Sequence, residues 1–312
     1  LSNAFIEINA ISASASAVAA NSTSLNGGTR VYQAAFNTAD WSGSLKAYSF
    51  ITSGPMIGTI NYASPDWSAA SSVTAANRGT MYTWKPTTTG TGTTSTSGAS
   101  GTVVAVGNDA SNLSAAQQAS LSNGGAVPAG DVVKWLKGQT ITGFRDRPNG
   151  IIGDIVNASP TFVSNTLNFN YMKITDPCVA NAGGTSYASG TGCTGGKLYQ
   201  GFVDGNATRD GIVYFGANDG QLHAVNAATG AEVMSFIPNG VFSSFTDTNE
   251  NGLQNAGELV DNKLFALSQP YYAHRYFLDA TPVVGDVWNG SAWKTWLVSG
   301  LGAGGRSIFA MD

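Results

Sequence analysis

Val213-Tyr214-Phe215-Gly216-Ala217-Asn218-Asp219-Gly220-Gln221-Leu222-His223-Ala224-Val225 is the stretch that decides the fold. Apolar residues alternate on both sides of an Asn-Asp-Gly turn, the pattern of two antiparallel strands joined by a tight hairpin. The same grammar returns twice. Upstream it reads Val31-Tyr32-Gln33-Ala34, then Asp40-Trp41-Ser42-Gly43-Ser44-Leu45-Lys46-Ala47-Tyr48. Downstream it reads Leu297-Val298-Ser299-Gly300, then Gly304-Gly305-Arg306-Ser307-Ile308-Phe309-Ala310-Met311, with Arg306 in place of the turn glycine. A second element precedes two of these hairpins: Asn157-Ala158-Ser159-Pro160-Thr161-Phe162-Val163 answers Asp279-Ala280-Thr281-Pro282-Val283-Val284-Gly285. Proline is tolerated at the first residue of a strand, where its missing N–H is not needed. Each unit therefore opens with a strand after Ser/Thr-Pro, adds a second, turns at glycine and returns through Leu-x-Ala. Four-stranded units repeated in this way are the blades of a β-propeller.

Composition agrees with an all-β chain. Of 312 residues, 39 are glycine and only 11% are charged, against roughly 7% and 25% in average usage. Exposed helix faces are built from Lys, Glu and Arg, and glycine opposes helix. Disorder is excluded by 42% hydrophobic residues with 7 Trp, 11 Tyr and 14 Phe to fill a core. The net charge of −4 with 15 scattered Lys and Arg excludes a nucleic-acid surface. No apolar run reaches the roughly 18 residues that would span a bilayer.

The units are padded unequally. One insertion follows Pro160, another runs from Pro238 to about Tyr272, and the low-complexity stretch from Thr87 to Gly101 reads as a mobile loop. Helical signals in the window from Asp109 to Trp135 predict short helices on one rim. At the start, Phe5, Ile8, Ile11 and Val18 have the spacing of one helix face, ending before Asn26-Gly27-Gly28. The chain is expected to divide into residues 1–25, a short N-terminal helix that could be the trailing end of an upstream domain, and residues 26–312, a propeller domain that stops in mid-blade. Both ends read as those of a fragment of a longer secreted protein.

Two cysteines, Cys178 and Cys193, lie in a Gly/Ser/Thr-rich stretch. A bridge between them would contribute roughly 3 kcal/mol in the chain-entropy model, and a disulfide implies an oxidising compartment. The alternative is two unactivated surface thiols.

Asp247-Thr248-Asn249-Glu250-Asn251-Gly252-Leu253-Gln254-Asn255-Ala256-Gly257-Glu258 fits the twelve-residue calcium loop D-x-[DN]-x-[DN]-G-x5-E. Side-chain oxygens of Asp247, Asn249 and Asn251 wrap one side of a hard cation. Gly252 permits the reversal, and Leu253 supplies a backbone carbonyl. Asn255 acts directly or through water, and Glu258 reaches back with both oxygens. Only Asp247 and Glu258 among these ligands are charged, which places affinity in the weaker range, roughly 10⁻⁵ to 10⁻³ M. A polar surface turn is the competing reading.

Other motifs carry less. Gly300-Leu301-Gly302-Ala303-Gly304-Gly305 is followed by a strand pattern, not the helix a phosphate loop requires. His223 reads as packed or at the rim, and His274, flanked by tyrosines, reads as structural. No G-x-S-x-G elbow accompanies either. Asp154, Asp279 and Asp286 sit beside strands or turns, where capping is the expected role.

Three stretches together resemble the propeller domain of the PilC/PilY family of type IV pilus adhesins and assembly factors. They are Ile152-Gly153-Asp154-Ile155-Val156-Asn157-Ala158-Ser159-Pro160, Tyr214 through Ala224, and Trp293-Lys294-Thr295-Trp296-Leu297-Val298-Ser299-Gly300-Leu301-Gly302-Ala303-Gly304-Gly305. The start, Asn21 to Leu25 through Trp41-Ser42-Gly43, is similar to the family's entry into that domain. The resemblance implies a modified, quinoprotein-like propeller with no catalytic residues. It further implies calcium-dependent support of pilus extension and retraction, surface attachment and twitching motility. The implied location is extracellular, at the pilus tip, with passage through periplasm and outer membrane during export. Implied partners are minor pilins and a host or abiotic surface ligand, and a von Willebrand factor A-like domain precedes the propeller in part of the family. Two readings compete: a quinoprotein dehydrogenase, because Asn218-Asp219-Gly220 and Ala227-Ala228-Thr229-Gly230 also look like quinone-enzyme repeats, and a carbohydrate-binding propeller with Trp41, Trp67 or Trp288 as platforms.

Overall fold

The computed structural model describes the main chain of residues 15–20 and 245 and, in full, residues 30–87, 100–164, 167–169, 171, 199–244, 260–289 and 291–312. Strands β1 (Ala15–Ala20), β2 (Arg30–Asn37), β3 (Ser42–Ser49) and β4 (Trp67–Ser68) form an antiparallel sheet in sequence order. The upstream hairpin read from sequence is β2–β3, with Tyr32 opposite Ala47 and Ala34 opposite Leu45, all four buried.

A second sheet has six strands: β5 (Thr80–Pro86), β6 (Gly101–Ala105), β7 (Thr161–Val163), β8 (Ile212–Gly216), β9 (Leu222–Asn226) and β10 (Glu232–Ile237), in the order β6-β5-β10-β9-β8-β7. Strands β7 to β10 are the four-stranded unit expected from sequence, and β8–β9 is its hairpin, with Val213 opposite Val225 and Phe215 opposite His223. The β5–β6 hairpin extends that unit through a parallel pairing of β5 with β10. Alternation along β10 gives no warning of an added partner, because an edge strand and an inner strand carry the same period. After the short pair β11 (Ser244–Phe245) and β12 (Val260–Asp261), strands β13 (Val283–Trp288), β14 (Trp293–Gly300) and β15 (Ile308–Met311) form a third antiparallel sheet.

The six-stranded sheet lies between the other two. Val213, Phe215 and Val225 project into a core shared with Tyr32, Leu45, Ala47 and Trp67 of the first sheet. Their neighbours Tyr214 and Leu222, with Phe236, face a larger core that reaches Leu297 and Leu301 of the third. The period-2 pattern that identified the hairpin therefore feeds two cores at once.

Helices α1 (Ala69–Ser72), α2 (Ala115–Ser122), α3 (Ala129–Leu136), α4 (Tyr199–Gly205) and α5 (Lys263–Leu267) are short. Ser114 and Gln117 form a reciprocal capping box at the start of α2, and Asn123 ends it in the left-handed conformation. Short helices do form in the window expected from sequence, and α3 packs Val132, Val133, Trp135 and Leu136 fully buried into the larger core. The N-terminal helix is corrected over its described end. Ala15–Ala20 is a strand hydrogen-bonded along β2, because satisfying the main-chain groups of that sheet edge outweighs the helix preference of its alanines. Residues 1–14 lie outside the described residues.

Candidate functional site

The Asn-Asp-Gly turn between β8 and β9 is where distant segments meet. Asn218 donates its main-chain N–H to the Asp154 carbonyl at 2.9 Å and its Nδ2 to Asp154 Oδ2 at 2.7 Å. Its Oδ1 accepts from the Phe277 N–H at 2.8 Å. His274 Nε2 lies 2.7 Å from Asp154 Oδ2. Burial pushes the Asp154 carboxyl above its ordinary range, with Asn218 and His274 only partly opposing it. Trp41 completes the cluster. Its backbone has φ of 56°, uncommon for a bulky residue, and its indole stacks on the His274 ring at 3.8 Å between centroids. Among the described residues the Asp154 contact is the one side-chain hydrogen bond of His274.

A second network fills the interior behind this turn. His223 is fully buried, with Nδ1 2.7 Å from Glu232 Oε1 and Nε2 3.0 Å from Asp219 Oδ2. Arg78 Nε donates to Glu232 Oε2 at 2.6 Å, and its Nη2 to Gln221 Oε1 at 2.7 Å. Burial alone would lower the His223 pKa, but the two carboxylates outweigh it and hold it at about 9. Glu232 is desolvated too, yet His223 and Arg78 pull it down to about 2. His223 is thus the packed histidine expected from sequence. Asp219, Glu232 and Arg78 were not legible as one network with it, since Arg78 comes from a loop 154 residues before Glu232.

The two Asx-Ala-Ser/Thr-Pro motifs bind each other. Asn157 donates its N–H to Asp279 Oδ1 at 3.0 Å and its Nδ2 to Asp279 Oδ2 at 2.5 Å; Ser159 N–H reaches Thr281 Oγ1 at 2.9 Å. Asp279 thus caps main chain, as expected. Asp154 and Asp286 hold side chains instead, Asp286 accepting from Tyr199 and Thr295 hydroxyls at 2.7 and 2.8 Å. After Gly300, residues Gly302–Gly304 make one 3-10 turn and β15 follows, so no helix N-terminus stands there. Of the tryptophans, Trp67 is core, donating Nε1–H to the Ala227 carbonyl at 3.1 Å, while Trp288 packs edge-on against Trp293. An open cleft of about 1120 Å³ separates the second and third sheets, walled by Trp84, Phe236, Trp296 and Phe309; sequence reading did not find it, because its walls come from different repeats.

The calcium loop Asp247, Asn249, Asn251, Leu253, Asn255 and Glu258 lies outside the described residues, as do Cys178 and Cys193. Among the described residues no three His, Cys, Asp or Glu side chains gather as a metal site, and no helix is long and apolar enough to cross a membrane.

Comparison with known proteins bears on what this scaffold is. Type IV pilus biogenesis factor PilY1 of Pseudomonas aeruginosa (strain UCBPP-PA14) is 37% identical over 181 residues, covering 58% of this chain and 13% of that protein. A PilY1 homolog of Xylella fastidiosa (strain Temecula1 / ATCC 700964) is 28% identical over 315 residues, covering all of this chain and 21% of that protein. The chain thus spans a minor part of the length of these relatives. No solved structure matches it. The family model described as the PilY1 beta-propeller domain matches residues 152–312, more than half of the chain, from the Asp154 segment through strands β7 to β10 and the third sheet. The chain belongs to the PilY1 beta-propeller domain family.

Proposed function

We propose that this chain is the propeller module of a type IV pilus biogenesis factor, acting by binding rather than by catalysis. The observation that carries it is the family match over the residues that build strands β7 to β10 and the third sheet, together with the named role of the relatives. In this reading stacked, glycine-turned sheets hold loops that meet minor pilins and a surface ligand at the pilus tip, outside the cell. The module is modified from the quinoprotein-like plan, and calcium at Asp247–Glu258 orders one of its loops in support of extension, retraction, attachment and twitching. The bridge Cys178–Cys193 would staple another. A strain lacking the gene should lose surface pili and attachment, and wild-type protein should restore both; normal pili in its absence would refute the assignment.

Calcium has its own measurement. Titration calorimetry should give a saturable heat with the wild-type chain and none with Asp247→Ala, and calcium should raise the Tm of the wild type by mass action. Burial of Trp67 removes one of the three platforms on which a carbohydrate-binding reading would rest.

A further inference from the structure

Between β3 and β4 of the first sheet the chain runs out into a finger and returns. Phe50 and Ile60 form a bridge at its base, where the Asn61 N–H donates to the Ser49 carbonyl at 3.0 Å. Beyond the bridge Ile51 N–H donates to the Thr59 carbonyl and Gly58 N–H to the Ile51 carbonyl, both at 2.8 Å. Gly54 and Gly58 turn the chain with φ of 84° and 82°, and a Cβ at either would meet nothing within 4 Å. Every residue from Thr52 to Thr59 is exposed, so the finger projects from the fold as an ordered, hydrogen-bonded unit. Its tip is Pro55-Met56-Ile57. Met56 is 61% and Ile57 65% exposed, and among the described residues no other two consecutive large apolar side chains are both so open.

The chemistry of the finger says what covers that tip. Phe50 through Pro65 contains no Asp, Glu, Lys, Arg or His, so no charge opposes its transfer out of water or steers it to a charged protein surface. The main chain at the tip is satisfied from within. Pro55 has no N–H, Ile57 N–H donates to the Gly54 carbonyl at 3.2 Å, and Thr59 donates its N–H at 3.1 Å and its hydroxyl at 2.7 Å to the Met56 carbonyl. Such internal pairing is what the edge of a lipid bilayer requires, because hydrocarbon offers main chain no partners. The side chains are also layered. Behind the apolar tip stand the hydroxyls of Thr52, Ser53 and Thr59, and near the base stands Tyr62, 54% exposed and edge-on to Tyr48 at 5.1 Å. Apolar, hydroxyl, tyrosine is the order of increasing polarity from acyl chains to headgroups, the level at which tyrosine settles.

We propose that this finger is a bilayer-contact element: Met56 and Ile57 seat in the acyl boundary of a lipid leaflet while Tyr62 stays at headgroup level. The contact is peripheral and not a span. It uses no cationic side chain, so zwitterionic lipid suffices, and with two apolar side chains inserted it is weak and reversible. It depends neither on the calcium loop nor on the assignment to pilus biogenesis.

The test is flotation of the full chain with phosphatidylcholine vesicles at low and at high salt. Wild type should float in proportion to lipid, equally in both salts. The double variant Met56→Ser with Ile57→Ser should lower the partition coefficient about tenfold or more, with Tm unchanged because neither side chain packs on the fold. Ile57→Trp gives a second readout: relative to wild type, its added fluorescence should shift to the blue with vesicles and be quenched by lipids brominated on the acyl chains. Wild type that stays in the lipid-free fraction at every lipid concentration, or equal flotation of the serine variant, would overturn the proposal. So would binding that needs anionic lipid and vanishes at high salt. Loss of pilin binding in the serine variant, with no vesicle binding by wild type, would make the finger a protein contact instead.

Discussion

His223 shows how a single residue sets a pH window. Its contacts with Asp219 and Glu232 hold its pKa at about 9, above the ordinary 6.5. The folded chain therefore binds this proton more tightly than the unfolded chain. The resulting stability is fully present below pH 6.5 and is lost as pH rises through about 9. Glu232, held down at about 2, contributes stability above the ordinary glutamate range that is lost as pH falls toward 2. Denaturant unfolding from pH 6 to pH 10 should show the alkaline loss in wild type and a flattened profile in His223→Gln. That variant should also be about 3 kcal/mol less stable at pH 7, because two buried carboxylates lose their shared cation, leaving Asp219 with main-chain N–H donors and Glu232 with Arg78 and the Gly79 N–H. A parallel pH profile in variant and wild type would refute the assignment. Sequence placed His223 in a strand and no more; its two acids lie four residues before and nine residues after it, a spacing that only the β8–β10 fold brings to one point.

At the level of elements, the repeat grammar was legible because hairpins encode themselves locally. Gly220, with φ of 85°, ends the Asn-Asp-Gly turn in a conformation that side chains avoid. In the third sheet the requirement shifts from dihedral to space: a Cβ at Gly304 would stand 2.0 Å from the Phe277 carbonyl oxygen. Gly304→Ala should therefore cost about 3 kcal/mol by forcing main chain apart, read as a lower denaturation midpoint; a loss below 1 kcal/mol would mean the two segments yield readily. The paired motifs allow a sharper test. Asn157 and Asp279 occupy the same place in successive repeats and bind each other. A double-mutant cycle with Asn157→Ala and Asp279→Ala should give a coupling of about 1–2 kcal/mol, whereas additive losses would deny the link. The resemblance of the two motifs was visible in sequence, but not that they touch, since similarity between repeats says nothing of the distance between them.

For the whole molecule, stability resides in the faces between sheets. Trp67, on the last strand of the first sheet, fills the core shared with β8 and β9 and hydrogen-bonds to the turn after β9. Trp67→Ala should lower stability by about 3–5 kcal/mol, whereas Trp67→Phe, which keeps most of the apolar volume and loses the N–H, should recover a large part of it. Equal losses in both would assign the effect to the hydrogen bond rather than to packing. The alternation of Val213, Tyr214 and Phe215, the Ser/Thr-Pro strand starts and the turn glycines determined by themselves that this chain forms repeated antiparallel sheets, because each signal is read within about ten residues of main chain. Only the tertiary structure decided that β5 joins β10 in parallel, that Ala15–Ala20 is a strand, that α3 is core, and that Arg78, His223, Asp219 and Glu232 meet. Those outcomes depend on which edges and charges are left unsatisfied once the sheets stack, a balance summed over residues far apart in the chain and therefore absent from any local pattern.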